Sequence, residues 1–461
     1  MIRPLLDRLL YGLAVLATRG LFRTVEVVGL ERLPRDRPVL LVANHFNGAV
    51  DALMLVTALH RVPRFVAKAT LWNVLPARPF LALAGLVPVH RPEDQRGVDG
   101  NVATFARAAQ VLRNGRTLAL FPEGTTHDRL ELARLRTGAA RIALGARAAG
   151  IERIAVVPVG LTYEDKLAVR SRALVRVGKP IDLDTEVAGL MGTADPDSPE
   201  ARETVRRLTE RIGTRLTQVT PRYASPLKRS VLGMAAEIRL RGEFTSPGAV
   251  VPLSRREPLA QALARAPAEV RIPVLEQLGL YNLYLDVFRL RDDQLVPRVG
   301  RRWLLTRALR LTLYVGVLGI VMLIGAAVNL LPALVVTSAG RRPAAPVTKG
   351  TVRMLVALIV FPAVWIIATV ALPVTGVAPT TLAVLVWPLA GAITVGGVER
   401  AVRLVQTWTG WVGFRNARGA MGELFDVRGR LCAAVDHALD AVSDDAAAIE
   451  TLRPLSGESA G

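Results

Sequence analysis

Between Val25 and Ile181, short apolar runs alternate with longer stretches in which apolar residues recur every three or four positions. The runs PVLLVAN, LVPVH, TLALFPEG, IAVVPVGL and LVRVGKPI are rich in valine and leucine and short for helices, so they predict strands. The stretches Asp51–His60, Val98–Asn114 and Thr137–Ala149 carry helical periodicity. This alternation predicts an α/β domain: a largely parallel sheet with flanking helices. In such sheets, sites form beyond the carboxyl ends of strands. His45, His90-Arg91 and Phe121-Pro122-Glu123-Gly124 all follow predicted strands, which points to one shared pocket.

After Ile181 the pattern becomes helical. In DPDSPEARETVRRLTERIGTRLTQV, Asp197 and Glu200 have the spacing of a capping box, and Pro199 suits an early helical position. Helical patterns continue to about Asp293. Beyond Arg310, Leu311–Gly340 carries no charge, and neither do the 45 residues of Met354–Val398. The second run has about twice the ~20 residues a membrane span requires. LPVTGVAPT (Leu372–Thr380) divides it, which predicts a helical hairpin with an uncharged turn and Arg353, Arg400 and Arg403 at its base. Basic residues flank the first run on both sides, which predicts a re-entrant or in-plane element at Leu311–Val336, with Pro332 to bend it. The chain therefore divides into an amphipathic interfacial helix (1–24), an α/β domain (25–185), a helical region (186–300), membrane-embedded helices (301–403), and an amphipathic helix with a disordered tail (404–461). In the amino-terminal segment, Leu9–Thr18 is too short to cross a bilayer, and Asp7 argues against a signal peptide.

Composition narrows the partners. The 461 residues carry a formal net charge of +20, yet 51% are hydrophobic. A chain both basic and apolar suits an anionic phospholipid membrane better than nucleic acid, and no repeated basic–aromatic platform is present for bases to stack on. Only five of the 59 basic residues are lysines, an arginine bias expected of a GC-rich bacterial genome. A single cysteine, Cys432, excludes an intrachain disulfide framework. The histidines and nearby carboxylates lack any compact metal-ligand spacing, so no metal is expected.

The first chemical signal is VANHFNGAVDAL. His45 and Asp51 lie six residues apart, which on a continuous helix would separate them by about 240°. They meet only if Phe46–Gly48 forms a turn, and Gly48 permits the unusual backbone this needs.

ANHFNGAVD, GLVPVHRPED, FPEGTTHD and VVPVGLTY, in this order and at close to this spacing, resemble the blocks of the glycerophospholipid acyltransferase family. The more common first block has four residues between histidine and aspartate; here there are five. FPEGTTHD followed by LRTGAARIAL is most similar to the branch containing fungal glycerol-phosphate and dihydroxyacetone-phosphate acyltransferases. The resemblance implies transfer of an acyl group from acyl-CoA or acyl carrier protein to glycerol 3-phosphate, dihydroxyacetone phosphate or a lysophosphatidate. It makes 25–185 the catalytic domain and requires no cofactor beyond the acyl carrier.

A glycerol hydroxyl is a poor nucleophile, and neutral His45 suits the general base it needs, with Asp51 accepting the other ring N–H. No Gly-x-Ser-x-Gly elbow supplies a covalent nucleophile. By the same resemblance Arg91 binds the acceptor's phosphate, Glu123 bonds the glycerol hydroxyls, Gly124 lets backbone approach the substrate, and Arg136 adds a cation where many relatives have lysine. Pro158 shapes the pocket wall. The expected site is the cytoplasmic face of the bacterial inner membrane. The competing reading is a non-catalytic lipid-binding or scaffold protein.

Overall fold

The computed structural model describes residues 2–73, 78–90, 101–186, 199–244, 249–295, 300–342, 346–371, 377–416, 419 and 421–442. The chain forms two compact units: Met1–Ala224 with Ala345–Thr351, and Ser225–Ala344 with Val352–Gly461.

The first unit is α/β. Its strands are β1 (Phe22–Val28), β2 (Val39–Ala43), β3 (Arg64–Lys68), β4 (Val87–Val89), β5 (Thr117–Leu120), β6 (Ala155–Tyr163), β7 (Ser171–Val177) and β8 (Ile181–Asp182). They lie in the order β1-β7-β6-β2-β5-β3-β4, with β8 beside β6. All pairs are parallel except β6–β7 and β6–β8, so the sheet is largely parallel as expected. Helices α1 (Ile2–Leu21), α2 (Ala49–Ala58), α3 (Arg78–Ala84), α4 (Asn101–Arg113), α5 (Gly138–Ala148), the single turn α6 (Leu183–Glu186) and α7 (Pro199–Val219) complete it. β2 and β6 are buried along their whole length because helices cover both faces of a parallel sheet, which is why they read as unbroken apolar runs. β1 and β3 were not among the predicted runs. FRTVEVV and RFVAK carry charges that mask their apolar positions.

Two expectations change. The first unit extends to Ala224, not 185, because Leu208 and Ile212 of α7 join the core formed by α5 and the sheet. Pro199 begins α7 as expected, whereas Asp197 lies outside the described residues. In addition, α1 is part of this unit. Its Thr18 hydroxyl meets that of Thr57 on α2 at 2.9 Å, and Arg64 donates to both oxygens of Asp7 at 2.8 Å. Leu5, Leu9, Leu13 and Leu16 remain exposed at helical spacing, a stripe suited to a membrane interface.

The second unit is helical. α8 (Pro226–Arg241) starts at Ser225, whose hydroxyl accepts from Lys228 N at 3.1 Å. With it pack α9 (Leu253–Arg265), α10 (Ala268–Phe288), α11 (Asp292–Leu295) and, from the far end of the chain, α16 (Met421–Asp440). Asp292 ties them together: it accepts from Tyr281 Oη at 2.8 Å and Arg428 Nε at 2.9 Å, with Arg241 Nε also 2.9 Å away.

α12 (Arg301–Ala339), α13 (Pro346–Ala371) and α14 (Pro379–Thr381), which passes through a π turn at Leu382–Val386 into α15 (Trp387–Asn416), form the apolar part. They give three helices long and apolar enough to cross a membrane. Their outward faces are leucine, isoleucine and valine, and hydrogen bonds link them inside: Trp365 Nε1 donates to Asn329 Oδ1 and Trp387 Nε1 to Thr369 Oγ1, both at 2.9 Å. α13 ends at Ala371 and α14 begins at Pro379; residues 372–376, most of the expected hairpin turn, lie outside the described residues. α12, by contrast, passes through Pro332 unbroken, so the chain does not reverse within 311–336 and the re-entrant reading fails. Proline removes one N–H and tilts a helix, but the packed neighbours hold the following turns. α15 likewise continues past Arg403, and the amphipathic helix that follows is α16. The predicted tail, 443–461, lies outside the described residues.

Candidate active site

The site is built where the two central strands end. Beyond β2, Asn44 is fully buried and locked to β6: its Nδ2 donates to Leu161 O at 2.9 Å, and its Oδ1 accepts from Leu161 N at 2.6 Å. This fixes the direction in which His45 leaves the sheet. Gly48 takes φ 57°, ψ −132°, a conformation open to glycine alone, and α2 starts at the next residue. The turn brings His45 Nδ1 within 2.8 Å of Asp51 Oδ2. The five residues between the pair are thus closed into a loop by the Gly48 turn.

Asp51 is fully buried, and three donors surround it: His45 Nδ1, Asn47 N at 2.8 Å on Oδ2, and Tyr163 Oη at 2.6 Å on Oδ1. Burial, then the adjoining Asp51, pushes the Tyr163 pKa far above its ordinary value, so the phenol stays protonated and donates. Asp51 thus has partners on both oxygens, and the Nδ1 of His45 shares Oδ2 with Asn47 N. Phe121, after β5, stacks on the imidazole with centroids 4.0 Å apart. The side chain of His45 is 18% exposed, and no described group bonds its Nε2.

Glu123, expected to bond the acceptor's hydroxyls, is held by protein groups in this structure. Its side chain has no exposed surface, and its oxygens are already engaged: Oε1 accepts from His45 N at 2.7 Å, and Oε2 accepts from Ala133 N at 2.7 Å and pairs with His127 Nε2. It therefore orders the loop around His45. The sequence pattern placed Glu123 at the right strand end, but it could not show which way the carboxylate turns. Gly124 has φ 69°, and the Arg136 side chain lies over it, while Arg136 N donates to Pro122 O at 2.8 Å. Pro158 is on buried β6, where its carbonyl accepts from Gly178 N at 2.8 Å. His90 directly follows β4; Arg91 lies outside the described residues.

Four residues were missed as parts of this site. Tyr163 sits 112 positions from Asp51, and His127 is joined to Glu123 and edge-on to Phe46. Lys68 ends β3 in register with Val89, so the strand order places a cation at the same sheet edge. Thr351 accepts from Ala49 N at 3.0 Å, supplying the first turn of α2 with the side-chain cap that Gly48 lacks. Only the order of the strands could have exposed Lys68, and Tyr163 and Thr351 depend on long-range folding, whereas His127 stands four residues from Glu123 and was within reach of a local reading.

Residues 24–162, which hold the sheet and the histidine–aspartate pair at its carboxyl edge, match the acyltransferase family. Glycerol-3-phosphate O-acyltransferase 2 of Saccharomyces cerevisiae is 34% identical over 199 residues, 42% of this chain and 26% of that protein. The chloroplastic 1-acyl-sn-glycerol-3-phosphate acyltransferase of Arabidopsis thaliana is 28% identical over 147 residues, 32% of this chain and 38% of that protein. The match thus spans about a quarter of the yeast relative's length and well under half of the plant one. A crystal structure of the 1-acyl-sn-glycerophosphate acyltransferase from Thermotoga maritima aligns with 44% of this chain and 77% of its own, at 21% identity and a TM-score of 0.30.

Proposed function

We propose that this protein is a membrane-bound O-acyltransferase that moves a fatty acyl group from an acyl-CoA or acyl carrier protein thioester to a glycerol-phosphate acceptor. The observation that carries this reading is the His45–Asp51 pair at 2.8 Å beyond β2. His45 Nε2 takes the proton of the acceptor hydroxyl as its oxygen attacks the thioester carbonyl. The tetrahedral intermediate collapses with cleavage of the C–S bond, and the imidazolium returns the proton to the departing thiolate. Asp51 holds the tautomer and stabilises the imidazolium between these steps. Arg91 and Arg136 bind the acceptor's phosphate, for which the planar guanidinium fork is suited. The relatives support glycerol 3-phosphate or its 1-acyl derivative as acceptor. Purified protein given palmitoyl-CoA and each of these acceptors should release free thiol and form acylated product. If no acyl donor and no glycerol-phosphate acceptor gives product, the protein is a lipid-binding scaffold instead.

The domain works on the cytoplasmic side of the inner membrane, where both acyl carriers are found. α16 packs on α10 within one unit, so the chain between them crosses the bilayer an even number of times. Three apolar helices cannot each make one pass; α13 and α15 crossing as a hairpin satisfies the count. Single cysteines at Thr375 and Ser225, in a Cys432→Ser background, test this with a membrane-impermeant thiol reagent. Thr375 should label in intact cells and Ser225 only after lysis. Labelling of Ser225 without lysis reverses the topology, and no labelling of Thr375 until lysis removes the hairpin.

A further inference from the structure

On the first unit, away from the His45–Asp51 pair, a cavity of about 470 Å³ lies between the amino end of α5 and the outer face of α7. Its volume falls in the range of small-molecule sites. Arg134, Arg141, Arg202 and Arg206 line it against a single acid, Glu210. Arg206 is already neutralised, paired with Glu203 at 2.6 Å and with Glu210. Among the described residues, Arg134, Arg141 and Arg202 have no ion-pair or hydrogen-bond partner for their guanidinium groups. Three uncompensated cations around one hollow repel each other, and an anion relieves that repulsion.

A second feature adds to the charge. α5 is an eleven-residue helix whose N-cap, Thr137, makes no side-chain cap bond, and its first turn holds no acid. Thr137 and Arg141 both line the hollow, so the uncapped N–H groups and the positive end of the helix face it. The cavity is also tied to the catalytic loop. Arg136, one residue from lining residue Thr137, lies over Gly124 and donates its backbone N–H to Pro122 O at 2.8 Å. The helix follows β5, whose end carries Phe121 and Glu123, so hollow and site share the carboxyl edge of the sheet.

We propose that this cavity holds the phosphate-bearing nucleotide end of an acyl-CoA thioester, with the flexible pantetheine arm running from it towards His45. The inference rests on the acyl-transfer reading above and names its donor. Arginine forks match phosphate oxygens in pairs, and CoA presents a diphosphate and a ribose phosphate to three such forks. A half-open hollow rimmed by exposed arginines suits a nucleotide; the acidic face of a carrier protein would call for a broader, flat surface.

The test joins direct binding with kinetics in the full-length protein. Arg141→Ala combined with Arg202→Ala should weaken CoA binding, followed by calorimetry, by at least about tenfold. The Lys pair at the same positions should recover part of it. In turnover, the Ala pair should raise the KM for palmitoyl-CoA by a similar factor while kcat and the acceptor KM hold. The KM for palmitoyl-pantetheine, which lacks the nucleotide phosphates, should not move. Equal CoA binding by wild type and variant, or no CoA binding by wild type, overturns the proposal. So does a rise in the KM for palmitoyl-pantetheine, and a rise confined to acyl carrier protein would move the site to an acidic protein partner. CoA binding that depends on these arginines in a wild-type protein without transferase activity would sink the proposed reaction while leaving the site standing.

Discussion

Replacing His45 with alanine should lower kcat by at least ~10²-fold and leave the fold intact, because the imidazole acts mainly in the transition state. The ring is partly exposed and its loop is held independently: Asn44 binds β6, and the His45 backbone N–H binds Glu123. Loss of the side chain therefore removes the base without freeing the segment. Asp51→Asn should be comparably severe. An amide whose carbonyl keeps His45 Nδ1 and Asn47 N turns its NH2 to Tyr163, whose hydroxyl must then accept instead of donate. It also leaves the imidazolium without its counter-charge. Tyr163→Phe keeps the carboxylate but removes one of its three donors, and should cost about tenfold or less. Steady-state kinetics with circular dichroism separates these cases. Near-normal turnover in the His45 variant would remove the general-base mechanism.

Glu123→Gln should lower kcat and thermal stability together, with the acceptor KM nearly unchanged. The glutamine carbonyl can keep either the contact to His45 N or those to Ala133 N and His127 Nε2. Its NH2 then opposes a buried donor, and each unsatisfied buried group costs about 1–3 kcal/mol. A substrate-binding carboxylate would behave in the opposite way, raising the acceptor KM while the melting temperature held. Thermal denaturation beside a KM series on the acceptor distinguishes the two, and the second pattern would mean that the carboxylate swings out of its buried position during turnover.

The fold class was legible because burial on both faces of a parallel sheet writes itself locally. β2 and β6 show as apolar runs, and α2, α4 and α5 show as helical periods between them. The His45–Asp51 pair was legible for a similar reason. Six residues with a glycine among them leave few ways to turn, and Gly48 takes one of those few.

What the sequence could not decide was anything set by partners distant along the chain. Tyr163 reaches Asp51 across 112 residues, and Thr351 reaches Ala49 across 302. The carboxylate of Glu123 was placed at the correct strand end, but which way it points depends on Ala133 and His127 closing over it. The amphipathic stripe of α7 announced a buried face without saying what would bury it, so its place on the sheet came only with the fold. Local pattern fixes periodicity, burial and tight turns, since these act over a few residues. Side-chain direction and domain boundaries depend on which surfaces meet, and that is decided only when the whole chain has packed.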